Sequence, residues 1–287
     1  MFWQFIINGL ITGILYSLLA IGFALVYNTT RIFHIAAAGI YVFAAYMFWW
    51  LGCSVSLVPA FLISIFLTCL ISLLVDRCVY YPLSQKGAKR NSLLIASIGV
   101  MIILVNLIAM IFGNMSNTID HAFPKTFDFK GIFISSDQIF QIMIASVAIF
   151  IFLVLLHKSF WGIQLRAYGD DSILYSTIGL NERKIRAFIF CLSGLFIALA
   201  SNLTVLEVGM VPSMGMAALV NAMVAMIIGG TGRYYTCLLG GLLLGLIQSC
   251  VMIFASSTWQ MAISFIILLL FLFLRPQGLA GIKPRTV

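Results

Sequence analysis

The apolar stretches of this chain hold almost no ionisable side chains, and that scarcity limits the chemistry they can perform. His34 stands just inside one apolar run, while Asp76 and Glu207 stand at the edges of others. A proton relay needs carboxylates or histidines at depth, because a charge inside a membrane is costly and is kept for function. No such relay is present. Ion coupling through unwound backbone carbonyls stays open as a rival. No GxxxxGKS or GxxxxGKT loop exists to hold ATP phosphates. There is no HExxH, no GxSxG and no paired intramembrane carboxylate, so the sequence offers no catalytic residue and no metal set. The six cysteines, at 53, 69, 78, 191, 237 and 250, lack metal or redox spacing and read as buried apolar thiols.

Two stretches bring polar or glycine-rich character into apolar surroundings. The first, "RIFHIAAAGIYVFAAY", carries His34, three alanines and Gly39. It reads equally as a distorted segment lining a path and as a close-packed helix start. The second runs from 207 to 232, with Glu207, Gly209, Pro212, Ser213 and Gly215 crowded at its head. Pro212 starts or breaks a helix there. A broken helix exposes backbone dipoles to a polar solute, so this segment, with Ala218 and Asn221 further in, is expected to line a path. Asn221 taken alone reads as a side chain bonded to a neighbour. A translocation path is therefore placed at His34, Gly39, Glu207, Pro212, Ala218 and Asn221.

The elements that must position these residues follow from composition. The chain is 63% hydrophobic and 8% charged. Apolar runs near the ~20 residues that span a hydrocarbon core recur at 6–28, 32–52, 54–76, 92–112, 138–156, 187–206, 211–230, 236–255 and 258–274. Backbone groups within lipid must be satisfied inside the segment, so the runs are helices. The expectation is an all-α membrane protein: a bundle of about eight to nine transmembrane helices, some broken, forming one transmembrane domain over 1–287. The first 28 residues lack the basic head of a signal peptide and read as a retained span.

The basic residues orient the bundle. Arg31, Arg77, Lys86, Lys89, Arg90, Lys158, Arg166, Arg183, Lys184, Arg186, Arg233, Arg275, Lys283 and Arg285 fall in alternate loops and the tail. Those are fourteen of the 16 Lys and Arg residues; the opposite loops hold only Lys125 and Lys130. The positive-inside rule puts the fourteen in the cytoplasm, the N-terminus outside and the C-terminus inside. The net charge of +8 is thus a membrane bias and points to lipid, not nucleic acid.

The longest basic loop, 157–186, is punctuated by Gly162, Gly169 and Gly179. Asp170 and Asp171 can cap the helix "SILYSTI" and complement its dipole. Its half-apolar face, Ile173, Leu174 and Ile178, suits a docking partner. Gly9 with Gly13, and Gly241 with Gly245, form GxxxG pairs that let helices approach closely, read here as packing within the bundle.

Four stretches carry a resemblance to permease subunits of bacterial ABC importers for branched-chain amino acids, a group that includes urea and amide permeases. "GLITGILYSLLAIGFALVYNTTRIFHIAAAG" is similar to the family's opening span. "VYYPLSQKGAKRNSLLIASIGVMIILVN" is similar to its tyrosine-proline-leucine loop and following helix. "LRAYGDDSILYSTIGLNERKIRAFIFCLSGLFIALA" resembles its coupling loop and next span, and "GGLLLGLIQ" with "RPQGLAG" its ending. Where the family reads Asn-Phe-Ala-His-Gly, this chain has His34-Ile35-Ala36-Ala37-Ala38-Gly39, so the histidine position looks like Ala37. The resemblance implies a permease of the bacterial inner membrane that is not an enzyme, holds no cofactor and leaves ATP to partners. Those partners are ABC ATPase subunits, a second related permease subunit in a heterodimer, and an extracytoplasmic solute-binding protein. It makes Arg166, Asp170, Asp171 and Gly179 the coupling residues. Rival readings are an ion-driven carrier of small polar solutes and a membrane enzyme or structural subunit.

Overall fold

The computed structural model describes residues 2–119, 126–129, 132–230, 232, 234–252, 256, 259–275, 278 and 279. Lys125, Lys130, Arg233, Lys283, Arg285 and part of the "RPQGLAG" tail lie outside the described residues. Among the described residues nine long helices carry the fold: α1 (Phe2–Thr30), α2 (Ala36–Gly52), α3 (Leu57–Val75), α5 (Arg90–Phe112), α6 (Ser136–Lys158), α9 (Glu182–Val208), α10 (Met214–Gly229), α11 (Tyr234–Val251) and α12 (Gln260–Leu274). Short helices α4 (Tyr81–Gln85), α7 (Phe160–Asp170) and α8 (Ser172–Thr177), with a hairpin β1 (Thr126–Phe129) and β2 (Ile132–Ser135), fill the connections. A π-helical turn, Asp76–Tyr80, joins α3 to α4.

Each apolar run of the sequence became one helix, with shifted ends. The run from 32 begins as an irregular link, and its helix starts only at Ala36. Six helical stretches are long and apolar enough to cross a membrane, the longest being Leu57–Gln85 with 29 residues. α2, α10 and α12 are shorter, at 17, 16 and 15 residues. At 1.5 Å per residue they reach about 22–26 Å, somewhat less than a hydrocarbon core of about 30 Å.

α1 and α9 form the centre. The most apolar window of each is 78% buried, against 11% for α5. α1 packs on α11, α9 and α10, and α9 also packs on α3 and α2. Phe66 on α3, Ile103 on α5 and Phe150 on α6 stay exposed, as lipid-facing side chains of a membrane bundle do.

The two GxxxG pairs meet each other. A Cβ on Gly13 would lie 2.9 Å from Leu242 Cα, and one on Gly9 2.8 Å from Ser249 Cβ. The pairs are therefore spent on the α1–α11 seam inside the chain. Gly13→Leu should overpack this seam by roughly 1–3 kcal/mol. A lower melting temperature of the purified chain in detergent is the expected readout; unchanged melting would contradict the seam.

Candidate functional site

A cavity of about 460 Å³ opens where α9 ends and α10 begins. α9 starts at the 157–186 loop and runs about 40 Å, so this cavity lies at the opposite end of the bundle from that loop. Glu207, Ala218 and Asn221 line it together. Pro212 lies buried in the turn that enters α10, between the lining residues Val211 and Met214. The rim is clasped by two backbone bonds: Asn117 donates to Met210 at 3.0 Å and Met210 donates back at 2.8 Å. Glu207 Oε1 accepts from Gln138 Nε2 at 2.8 Å.

The floor is neutral and polar. Ser264 donates to Asn221 Oδ1 at 2.7 Å, and Gln248 Nε2 reaches both Ser264 Oγ and Asn221 Oδ1. Gln260 Nε2 sits 3.1 Å from the Tyr16 hydroxyl and 3.2 Å from Gln248 Oε1. α1, α10, α11 and α12 each contribute to this cluster. Leu15, Leu19, Met214, Ala217 and Met261 form an apolar wall. Among the described residues the lining has one carboxylate and no cation, and with amides and hydroxyls beside aliphatic surface it can hold a small amphipathic solute bearing an amine. Sequence reading missed Tyr16, Gln248, Gln260 and Ser264. The available signal was two glutamines within or beside the last two apolar runs.

His34 and Gly39 are not among the cavity's lining residues. His34 is fully buried and shares a hydrogen bond of 2.9 Å with the Tyr80 hydroxyl through Nδ1. Tyr80 bonds Ser97 Oγ at 2.8 Å, and Ser97 accepts from the Ala36 backbone N–H. This chain of bonds ties the start of α2 to the π-helical turn and α5. Gly39 abuts α5: a Cβ there would meet Leu104 Cβ at 2.9 Å. Of the two readings left open for this stretch, the close-packed helix start describes its surroundings.

At the other end, Ser159 caps α7 by accepting from Trp161 N–H. Asp171, not Asp170, caps α8; its Oδ1 accepts from Ile173 N–H at 2.9 Å and Leu174 N–H at 3.0 Å. Asp170 ends α7, and Arg166 lies exposed on it. Gly179 follows α8 with φ of +84°, in the left-handed region that favours glycine. Ile173, Leu174 and Ile178 are 77%, 58% and 68% exposed, so α8 presents an apolar ridge, while Tyr175 is buried beneath it. Tyr175 packs edge-on against Tyr168, whose hydroxyl donates to Glu182 at 2.9 Å. Burial pushes the Tyr168 hydroxyl well above its usual range, so it remains a neutral donor.

Glu182 lies 3.9 Å from Arg186, and Arg186 pairs with Asp76 at 2.6 Å. Both side chains of that pair are about 97% buried. The 157–186 loop is thus joined through Tyr168, Glu182 and Arg186 to the π-helical turn after α3. The sequence reading treated Arg186 as one more cytoplasmic charge. An acid and a base at the ends of two apolar runs was the signal that could have paired them.

Comparison with known proteins places this geometry. The chain is 28% identical over 294 residues to the high-affinity branched-chain amino acid transport system permease protein BraD of Pseudomonas aeruginosa, covering 97% of this chain and 95% of that protein. It is 28% identical over 300 residues to LivH of Salmonella typhimurium, covering 98% and 96%. A probable branched-chain amino acid permease, LivH of Methanocaldococcus jannaschii, is 26% identical over 297 residues, covering 94% and 91%. The solved structure of PsaBC from Streptococcus pneumoniae in complex with Fab shares the fold, with a TM-score of 0.56 at 11% identity over 96% of this chain and 92% of that one. Residues 5–272 match the family described as branched-chain amino acid transport system / permease component, and the chain belongs to that family.

Proposed function

We propose that this chain is the membrane-spanning subunit of an ATP-driven importer for branched-chain or other small amino acids. The observation that carries the reading is the capped, exposed apolar ridge of α8, at the far end of the bundle from a solute-sized cavity. An ATPase subunit docks on that ridge through Ile173, Leu174 and Ile178, with Arg166, Asp170, Asp171 and Gly179 shaping the contact. ATP binding draws the ATPase subunits together, and α7–α8 pass the movement through Arg186 and Asp76 to α3 and α9. The outer cavity, with Glu207, Ala218 and Asn221, receives solute from an extracytoplasmic binding protein. Its aliphatic wall and lone carboxylate suit an amino acid with an apolar side chain, the class named for BraD and LivH.

On this reading the whole chain is one permease domain in the inner membrane, paired with a second, related permease subunit. ATP belongs to the partners, and this chain needs no cofactor. The nine long helices all cross, with α2, α10 and α12 accommodated by local thinning or by neighbouring helices. Reconstitution tests the function. Purified chain alone should hydrolyse no ATP, and leucine uptake into proteoliposomes should require both ATP and added ATPase subunits. ATP-independent uptake driven by a sodium or proton gradient would reject it. Orientation is tested separately in a variant free of native cysteines. Single cysteines at 114–118 should label from outside the cell and those at 84–88 only after permeabilisation; the reverse pattern would invert the topology.

A further inference from the structure

A second cavity, of about 290 Å³, lies at the α8 end of the bundle, bounded by α1, α6, α7 and the start of α11. Its polar lining is Asn28, Arg31, His157, Arg166 and Asp170 with Tyr234 and Tyr235 of α11, and Leu156 and Leu165 form an apolar side. Asn28 is only 6% exposed, yet neither its Oδ1 nor its Nδ2 has a hydrogen-bond partner. Leaving a buried amide unpaired costs about 1–3 kcal/mol. Such a group is retained where something else is to pair with it. Among the described residues, Arg31, Arg166 and Asp170 form no ion pair within 4.0 Å, since the two ion pairs found there both use Arg186. Arg31 is turned at the end of α1 by a φ of 57°, the one non-glycine residue among those described with a left-handed backbone.

Two unpaired guanidinium groups call for a carboxylate, which they bind through charge-assisted bonds. The unpaired Asp170 carboxylate calls for an ammonium group. Asn28 holds an unspent donor and acceptor at the cavity wall, which a ligand reaches once the covered amide turns toward it, and Leu156 with Leu165 accept a short aliphatic chain. Inorganic phosphate would leave Asp170 opposed, and a simple amine would leave both arginines unused. The volume falls at the lower end of small-ligand pockets, about 300–1,000 Å³. We propose that this cavity binds a free zwitterionic α-amino acid on the coupling-loop side and that its occupancy slows transport. Asn28 and Arg31 belong to the end of α1, whereas Arg166 and Asp170 belong to α7. A ligand that bridges them fixes α7 against the central helix, and α7 leads directly through Asp171 into α8. The braking effect rests on the proposed role of α7–α8 as the transmitting element; the binding does not.

Binding is measured on the full chain in lipid nanodiscs with radiolabelled leucine. Wild type is expected to bind, and Arg166→Gln and Asp170→Asn should each weaken binding roughly tenfold or more, as loss of one charge-assisted contact implies. Isovalerate, which lacks the amine, and isopentylamine, which lacks the carboxylate, should compete at least about tenfold more weakly than leucine. Absent binding, or undiminished binding in both variants, would overturn the site. Equal competition by inorganic phosphate would make it an anion site and overturn the zwitterion. Binding lost in Glu207→Gln but kept in Arg166→Gln would put the amino acid in the outer cavity, sinking this inference and leaving the importer reading intact. In the assembled importer, leucine on the coupling-loop side should lower uptake several-fold in wild type and leave the Asn28→Leu variant less affected. Binding without any slowing would overturn the braking role.

Discussion

Arg186→Met is expected to destabilise the chain by about 3–5 kcal/mol, because it leaves Asp76 buried without its cation. The Asp76 side chain is 4% exposed, and its 2.6 Å contact with Arg186 joins the π-helical turn to α9. A buried pair is costly to break from one side, whereas removing both charges is close to neutral. The double variant Asp76→Leu with Arg186→Met should therefore recover most of the lost stability, a non-additivity that a double-mutant cycle measures. Thermal melts of the purified chain in detergent give the stability. Uptake by the assembled complex gives the second readout, and it should stay low in the double variant, since Glu182 and Tyr168 no longer reach α3 through a charged link. A single variant as stable as wild type would mean that the pair is not structural. Full uptake in the double variant would take the pair out of the transmission route.

Ala218→Phe should cut uptake roughly tenfold or more per assembled complex, equivalent to about 1.4 kcal/mol on the cycle. Ala218 lines the cavity at the α9–α10 turn with Asn221, so a phenyl group fills space that a solute needs. Gly39→Phe should fail differently. Its new side chain meets Leu104 and Met101 on α5, so the loss appears as less assembled protein rather than slower uptake. Val147→Phe, on the exposed face of the peripheral α6, is the control and should alter neither quantity much. Uptake per complex that falls equally at all three positions would show that packing, not a path, had been disturbed.

The helices were legible because lipid demands long apolar runs, and each run of the sequence became one helix. Gly9, Gly13, Gly241 and Gly245 were legible as close-contact positions, though their spacing says nothing of which helix they meet. Asp171 was legible as a cap because the cap and its helix are adjacent in sequence. His34 was not legible as an anchor, since its partner Tyr80 lies 46 residues away. The same holds for the amide cluster, where Tyr16 and Gln260 are separated by 244 positions. Periodicity assigns faces within one helix, and only the folded bundle decides which faces meet. The hairpin β1–β2 escaped notice because its two strands are only four residues each, too short for a clear alternation.

The reciprocal bonds between Asn117 and Met210 set how the rim of the cavity at the α9–α10 turn can move. At a net worth of about 0.5–1.5 kcal/mol each, two such bonds favour the joined arrangement by about 1–3 kcal/mol, a ratio between roughly fivefold and over a hundredfold. The segments after α5 and α9 therefore swing as one flap in most molecules, and part company in a small standing minority. A protein that binds the parted form better by more than that same ratio makes the minority dominant. The rim is thus a spring-loaded latch: stiff enough to stay shut alone, and weak enough for a docked visitor to lift.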